Sequence, residues 1–351
     1  MTAIAHIAES FAYGTARSVL QLCQSAKDLG ETTVYYGVRQ GTDIELRSLP
    51  DSVRLRPLPG TGPMRHVINL RFLRKELKSF RIVHGHSSYG GMYAKLLGRK
   101  LDSPVLYSPR GYAFLRQDLS RPVRSAIRRI EKTTAKWCTT IGCGPYEYEL
   151  GRKLGGPATC INNGYNVSPP ACLQGLDSTV LGVGRICEQK GFDIFTAVAR
   201  ELPDVSFTWV GDVQSTNENE YGPLPENVRL QTYMPHADLL RLIQKSRFVF
   251  LPSRWEGLSR FLIESVCLSK AIVTSRFPGN MDCLDGDRRG MEFRNGFACD
   301  GESEYVEAIG RLMNDDRLLD QQQTASYEYA SNHFDLRVIL DQWRQLYETV
   351  V

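Results

Sequence analysis

No stretch of this 351-residue chain approaches the roughly 18 consecutive apolar residues that a membrane-spanning helix requires. Short-period repeats and low-complexity tracts are also missing. The nine cysteines are odd in number, scattered, and never spaced as a Cys-x-x-Cys pair. Zinc ribbons and disulfide frameworks therefore fit poorly, and reduced thiols in a cytoplasmic chain fit well. The six histidines offer no evident ligand set: His84 and His86 would share one strand face, but no third ligand stands nearby in sequence. Neither an intact Gly-x-Gly-x-x-Gly fingerprint nor a suitably placed Asp-x-Asp pair appears. No metal, no cofactor and no nucleic-acid partner is expected.

What is present is a composition that fills packed cores, 42% hydrophobic and 23% charged, and a length that favours two domains. The opening residues carry His6 and Glu9 early, with no basic leader, and read as a first strand rather than a signal peptide. Short apolar runs alternate with helical patterns: Ile4 to Ala8, Thr33 to Val38, Val53 to Leu58, Ile82 to His86 and Val105 to Ser108 as strands, with amphipathic stretches such as Ala16 to Leu29 between several of them. The pattern breaks over Asn166 to Gly175, which reads as a linker. It restarts with strands at Val180 to Gly184, Phe207 to Gly211, Val228 to Tyr233, Phe248 to Leu251 and Ala271 to Thr274. The expectation is α/β, with doubly wound domains over 1–168 and 175–334. A final helix in 335–351, offering Val338, Leu340, Trp343 and Leu346, is expected to pack back on the first.

Charge is uneven. Residues 60–136 hold 17 Lys and Arg against 4 Asp and Glu, concentrated in Arg65 to Arg81 and Arg116 to Lys136. Basic amphipathic helices suit an anionic membrane surface or a diphosphate-bearing partner, and equally a plain solvated face.

The most informative segment is Leu251-Pro-Ser-Arg-Trp-Glu-Gly-Leu-Ser-Arg-Phe-Leu-Ile-Glu. A strand ends, Glu256 and Gly257 turn, and a helix is expected from Leu258 to Leu268. A helix start beyond a strand's carboxyl end is where ligands bind in open α/β sheets, with the N–H groups of Gly257, Leu258 and Ser259 facing an anion. Glu256 would look into that crevice, and Glu264, two turns on, suits a vicinal diol such as a ribose. Alone, either is equally a first-turn acid or a solvated helix residue. Upstream, Gly182-x-Gly184 is half a fingerprint whose third position is Cys187. Arg185 and Lys190 follow, two cations near a helix start, where an anion between them would relieve the dipole conflict. Gly14 and Thr15 would likewise offer N–H groups at the first helix start.

In order and context, Arg185, Lys190, Glu256 and Glu264 resemble the donor-site signature of retaining GT-B glycosyltransferases of family 4, the glycosyl transferases group 1, whose motif commonly runs Glu-Gly-Phe-Gly-Leu-x-x-x-Glu. Ile161-Asn-Asn-Gly-Tyr-Asn, Val210-Gly-Asp and Val83-His-Gly-His-Ser are similar to further family segments, so the likeness spans nearly the whole chain. It implies two Rossmann-like domains facing a central cleft. It also implies hexosyl transfer with retention from a UDP- or GDP-linked sugar to a lipid-linked or glycan acceptor, in bacterial surface-polysaccharide synthesis; the basic amino-terminal half adds the expectation of a cytoplasmic protein held peripherally at the inner face of the cell membrane. Arg185 and Lys190 inherit stabilisation of the leaving diphosphate, Glu264 the ribose, and Glu256 the donor sugar; no metal is implied. The chain departs from the pattern at Ser259, at Arg260, and at Arg110, which stands where the family often has a sugar-facing His. Glu9, Tyr13 and Ser88 are acceptor-side candidates. A GT-B nucleotide-sugar epimerase and a non-catalytic sugar-nucleotide-binding protein stay open as alternatives; a nicotinamide-dependent oxidoreductase lacks its fingerprint.

Overall fold

The computed structural model describes residues 3–26, 29–38, 42, 53–101, 103–212, 223–232 and 234–350. The end of one expected strand, Tyr233, and the side chain of Tyr13 lie outside them. The chain divides into two compact units. One comprises Met1–Leu115, Leu119–Asn163 and Arg337–Val351, the other Arg116–Asp118 and Gly164–Leu336. The segment Asn166 to Gly175 thus belongs to the second unit.

The first unit carries strands β1 (Ile4–Ala8), β2 (Thr32–Tyr36), β3 (Val53–Pro57), β4 (Ile82–His86), β5 (Val105–Ser108), β6 (Thr139–Gly142) and β7 (Ala158–Cys160), ordered β3-β2-β1-β4-β5-β6-β7 and all parallel. β1 is buried along its whole length, whereas edge strand β3 leaves Arg54 and Arg56 exposed. This is the contrast expected between a strand covered on both faces and one at a rim. Between the strands stand α1 (Tyr13–Ser25), α2 (Arg65–Glu76), α3 (Ser87–Gly98), α4 (Arg121–Thr134) and α5 (Pro145–Lys153).

The second unit repeats the plan with β8 (Thr179–Val183), β9 (Ser206–Val210), β10 (Val228–Gln231), β11 (Phe248–Leu251), β12 (Ile272–Ser275), β13 (Glu292–Phe293) and β14 (Gly296–Cys299). Their order is β10-β9-β8-β11-β12-β14-β13, with only the β13–β14 pair antiparallel. Its helices are α6 (Phe192–Glu201), α7 (His236–Lys245), α8 (Arg260–Cys267), α9 (Pro278–Met281), α10 (Glu302–Asn314) and α11 (Asp316–His333). Strand order reverses between β1 and β4 in one sheet and between β8 and β11 in the other. Each reversal opens a crevice at the carboxyl ends of the strands.

The last helix, α12 (Leu336–Thr349), returns to the first unit. Ile339, Trp343 and Tyr347, spaced by four, bury against Ile4, Ile82, Leu106 and Ile141. Val338 does not join them and is 52% exposed, because it lies about 100° around the helix from that stripe. Beneath α12 the parallel register sets His6 of β1 beside His84 of β4, and His86 follows on the same face. The third histidine that sequence spacing did not supply is therefore provided by a neighbouring strand. His6 Nδ1 lies 3.0 Å from His86 Nε2, while His84 contacts the Tyr347 hydroxyl at 3.0 Å and Ser108 Oγ at 2.9 Å. Burial first, and the charge of Arg110 second, lower the His6 pKa to about 3; burial also holds His84 and His86 well below their ordinary value.

A second buried device joins α3 to α4. Lys95 Nζ bonds Glu131 at 2.6 Å, and Tyr107 donates to the same carboxylate at 3.0 Å, all nearly fully buried. Removing one partner leaves an uncompensated buried charge. Glu131→Ala is expected to lose about 3–5 kcal/mol of unfolding free energy in urea titrations. The histidines titrate with the opposite consequence to a paired group. Because folding lowers their pKa, their contribution is full above pH about 6.5 and is lost as pH falls below it, for His6 toward about 3. His6→Gln should flatten the acid limb of stability by about one proton, about 1.4 kcal/mol per pH unit, in urea titrations at stepped pH.

Candidate active site

Two loops meet at the β8/β11 reversal, and both belong to the second unit. The β8 loop leaves the sheet at Gly184, whose carbonyl accepts from the Trp209 indole at 2.8 Å. A Cβ on Gly184 would stand 3.0 Å from the Lys190 side chain, so its absence lets Lys190 lie across the loop. Arg185 follows, with its guanidinium 3.3 Å from the Gln189 side-chain oxygen. Lys190 closes a single helical turn, and Gly191 at φ 70° starts α6. A Cβ on Gly191 would meet the Pro252 carbonyl at 2.3 Å; only glycine permits both that conformation and that approach.

The β11 loop is fastened to the first by backbone and side chain together. Gln189 donates to the Trp255 carbonyl at 3.0 Å and accepts the Arg254 N–H on its own carbonyl at 2.8 Å. Arg254 forks onto Asp193; burial works against that carboxylate's charge, yet the fork holds its pKa below the usual range. Across the gap, Lys190 Nζ and Glu256 Oε1 form an ion pair at 2.5 Å, with side chains 17% and 10% exposed. The two cations anticipated as uncompensated thus have partners in this structure.

Helix α8 begins at Arg260, two residues later than sequence periodicity indicated. Ser259 is in extended conformation at the N-cap, and the first helical bond runs from Ile263 N–H to Ser259 C=O at 3.0 Å. The first-turn N–H groups of the helix are therefore those of Arg260, Phe261 and Leu262, with Gly257, Leu258 and Ser259 in the turn ahead of it. Glu264 faces inward and is 2% exposed. Its Oε1 receives Arg260 Nε and Nη2, both at 3.3 Å, and lies 3.1 Å from His236 Nε2. Arg260, which departs from the family pattern, therefore does not point to solvent.

His236 was missed by sequence reasoning. Its signal was position: it opens α7, just beyond β10 at the same sheet edge, behind Pro235. Arg260 was legible in principle, four residues before Glu264 on one helix face.

In the first unit, Gly14 and Thr15 occupy the first turn of α1, beyond the end of β1. Arg110, in the loop after β5, has φ 57° and donates to Asn163 at 2.6 Å, where Ser18 also donates at 3.2 Å. Glu9 is buried and Ser88 is the second residue of α3. Among the described residues, the group able to offer three metal ligands is His6, His84 and His86, with ligand atoms within 4.8 Å of one another. Both His84 nitrogens are engaged, Arg110 adds positive potential, and no carboxylate joins the cluster. That arrangement suits a hydrogen-bonded core under α12 better than a divalent cation.

Residues 177–315 match the family model of glycosyl transferases group 1, and residues 13–160 match that of the glycosyl transferase 4-like domain. The chain belongs to the group 1 glycosyltransferases. This glycosyltransferase is 26% identical over 322 residues to the Escherichia coli UDP-Gal:alpha-D-GlcNAc-diphosphoundecaprenol alpha-1,3-galactosyltransferase, covering 82% of this chain and 80% of that one. Identity to the processive diacylglycerol alpha-glucosyltransferase of Acholeplasma laidlawii is 21%, over 69% and 73% of the two chains. Among solved structures, Anabaena HepE in complex with UDP-glucose superposes with a TM-score of 0.80 at 15% identity, covering 99% of this chain and 100% of that one. Sucrose-phosphate synthase from Thermosynechococcus elongatus gives 0.82 at 17% identity, covering 100% and 99%. The fold of this glycosyltransferase is GT-B.

Proposed function

We propose that this glycosyltransferase moves a sugar, with retention, from a UDP- or GDP-linked donor to a lipid-linked or glycan acceptor in surface-polysaccharide assembly. The observation that carries the reading is the Lys190–Glu256 ion pair, which joins the loop bearing Arg185 to the loop that leads into α8 at the β8/β11 reversal. Charge grows on the diphosphate as the glycosidic bond breaks. Fixed cations and helix N–H groups aimed at that charge stabilise the transition state more than the ground state. Lys190 exchanges Glu256 for phosphate, Arg185 supplies a planar fork, and Glu256 is left beside the sugar carbon that develops positive character. Glu264 accepts from the ribose. These protein cations do the work a metal would otherwise do.

The activities of two relatives, on a diphosphoundecaprenol-linked sugar and on diacylglycerol, support a lipid-linked acceptor. Helix α4 supports attachment to an anionic membrane at the cytoplasmic face. It exposes Arg121, Arg128, Arg129 and Lys132 with Val123 and Ile130, and α2 adds exposed Arg71, Arg74 and Lys75 with Val67 and Ile68.

The donor reading is tested by thermal shift against UDP, GDP, ADP and their common sugars, followed by turnover with the stabilising donor. Lys190→Ala and Glu264→Ala are expected to fold and to lose about 100-fold or more in turnover. Full activity in either variant overturns the assignment, and a sugar epimer released without any acceptor indicates the epimerase instead. Membrane attachment predicts co-sedimentation with anionic, not zwitterionic, liposomes at low salt, weakening as salt screens the basic faces; no binding at low salt rejects it.

A further inference from the structure

The carboxylate of Glu264 is 2% exposed, and of its partners Arg260 and His236 the first is 11% and the second 28% exposed. A ligand reaching Glu264 meets His236 as the most open member of the three. Resting on the donor reading above, we propose that His236 is a positioning residue for the donor nucleoside, one that shares the ribose diol with Glu264.

The chemistry follows from the ring. A carboxylate only accepts, so the 3.1 Å contact to Glu264 places the proton of a neutral imidazole on Nε2 and makes Nδ1 the acceptor. A vicinal diol carries two donors, and the carboxylate and the imidazole together present two acceptors. Tyr165 stands edge-on to the ring, with centroids 6.1 Å apart. His236 also sits at the first position of α7, beyond β10, so it enters the β8/β11 site from a third strand end. Arg260 plays a different part. Its guanidinium only donates, so it fixes the charge of Glu264 and cannot receive a hydroxyl.

The test measures affinity for two probes by calorimetry, the nucleoside diphosphate that stabilises the wild-type chain and inorganic pyrophosphate, in the wild type, His236→Ala, His236→Gln and Glu264→Ala. Circular dichroism and melting temperature verify the fold of each variant. His236→Ala is expected to weaken the nucleotide about tenfold, the order of one hydrogen bond within a charged network, while pyrophosphate affinity stays at the wild-type value. Donor KM should rise more than kcat falls, and His236→Gln, which retains an N–H donor and an acceptor, should recover part of the loss. Unchanged nucleotide affinity in His236→Ala, or an equal loss for pyrophosphate, overturns the proposal. If Glu264→Ala weakens the nucleotide while His236→Ala does not, the donor reading stands and this inference alone falls. If the wild type binds none of UDP, GDP and ADP, both fall together.

Discussion

The Lys190–Glu256 ion pair is the constraint on which the second unit's site depends, because it ties the loop after β8 to the loop after β11. Parallel strands supply only a crevice; what it does is decided by the loops that line it. Here the pair is reinforced by Gln189, which bonds the backbone of Arg254 and Trp255, and by the close approach of Gly191 to Pro252. Lys190 and Glu256 are consequently held within a hydrogen bond of each other although 66 residues separate them in the chain.

Such pairing changes how an anion binds. Two unit charges about 4 Å apart attract by about 4 kcal/mol at an effective dielectric of about 20, and desolvation offsets much of that. A diphosphate carries more negative charge than one carboxylate, so it can draw Lys190 away from Glu256. On the donor reading proposed above, binding would be an exchange of partners rather than the filling of an empty positive hole. The same logic would apply to Glu264, whose charge is met by Arg260 in this structure. Pre-existing partners keep charged groups satisfied in the free protein, and they hold the side chains near the positions a ligand requires.

Much of this was legible in the sequence, and the limits have physical causes. Apolar runs at Ile4 to Ala8, Ile82 to His86 and Phe248 to Leu251 marked central strands because both faces are covered, and Glu256 and Glu264 announced themselves by motif. The start of α8 was misplaced because Leu258 fits the apolar period, whereas the chain enters the helix only after Ser259 takes the N-cap. Val338 looked as apolar as Ile339, and one-residue rotation around a helix decides which of them is buried. His236 and His6 escaped for a shared reason. Their partners, Glu264 and His86, lie 28 and 80 residues away, and contacts across strand ends follow sheet order, which a linear period does not encode.

Sheet order also explains why the carboxyl terminus matters to the first unit. The chain leaves that unit after Asn163 and re-enters it after Leu336. Within the second unit these two crossing segments pair with one another, Tyr165 N–H to Phe334 C=O at 2.9 Å and Leu336 N–H to Tyr165 C=O at 3.1 Å. The exit and the return are thus one structural element, and it delivers α12 to the sheet face carrying His6, His84 and His86. The Tyr347 hydroxyl bonds His84 there, while Trp343 lies across the same ring at 5.3 Å. Without that cover, three imidazoles kept neutral by burial would meet water and take up protons near their ordinary pKa. The terminal helix therefore maintains the charge state of the first unit's core as well as its packing.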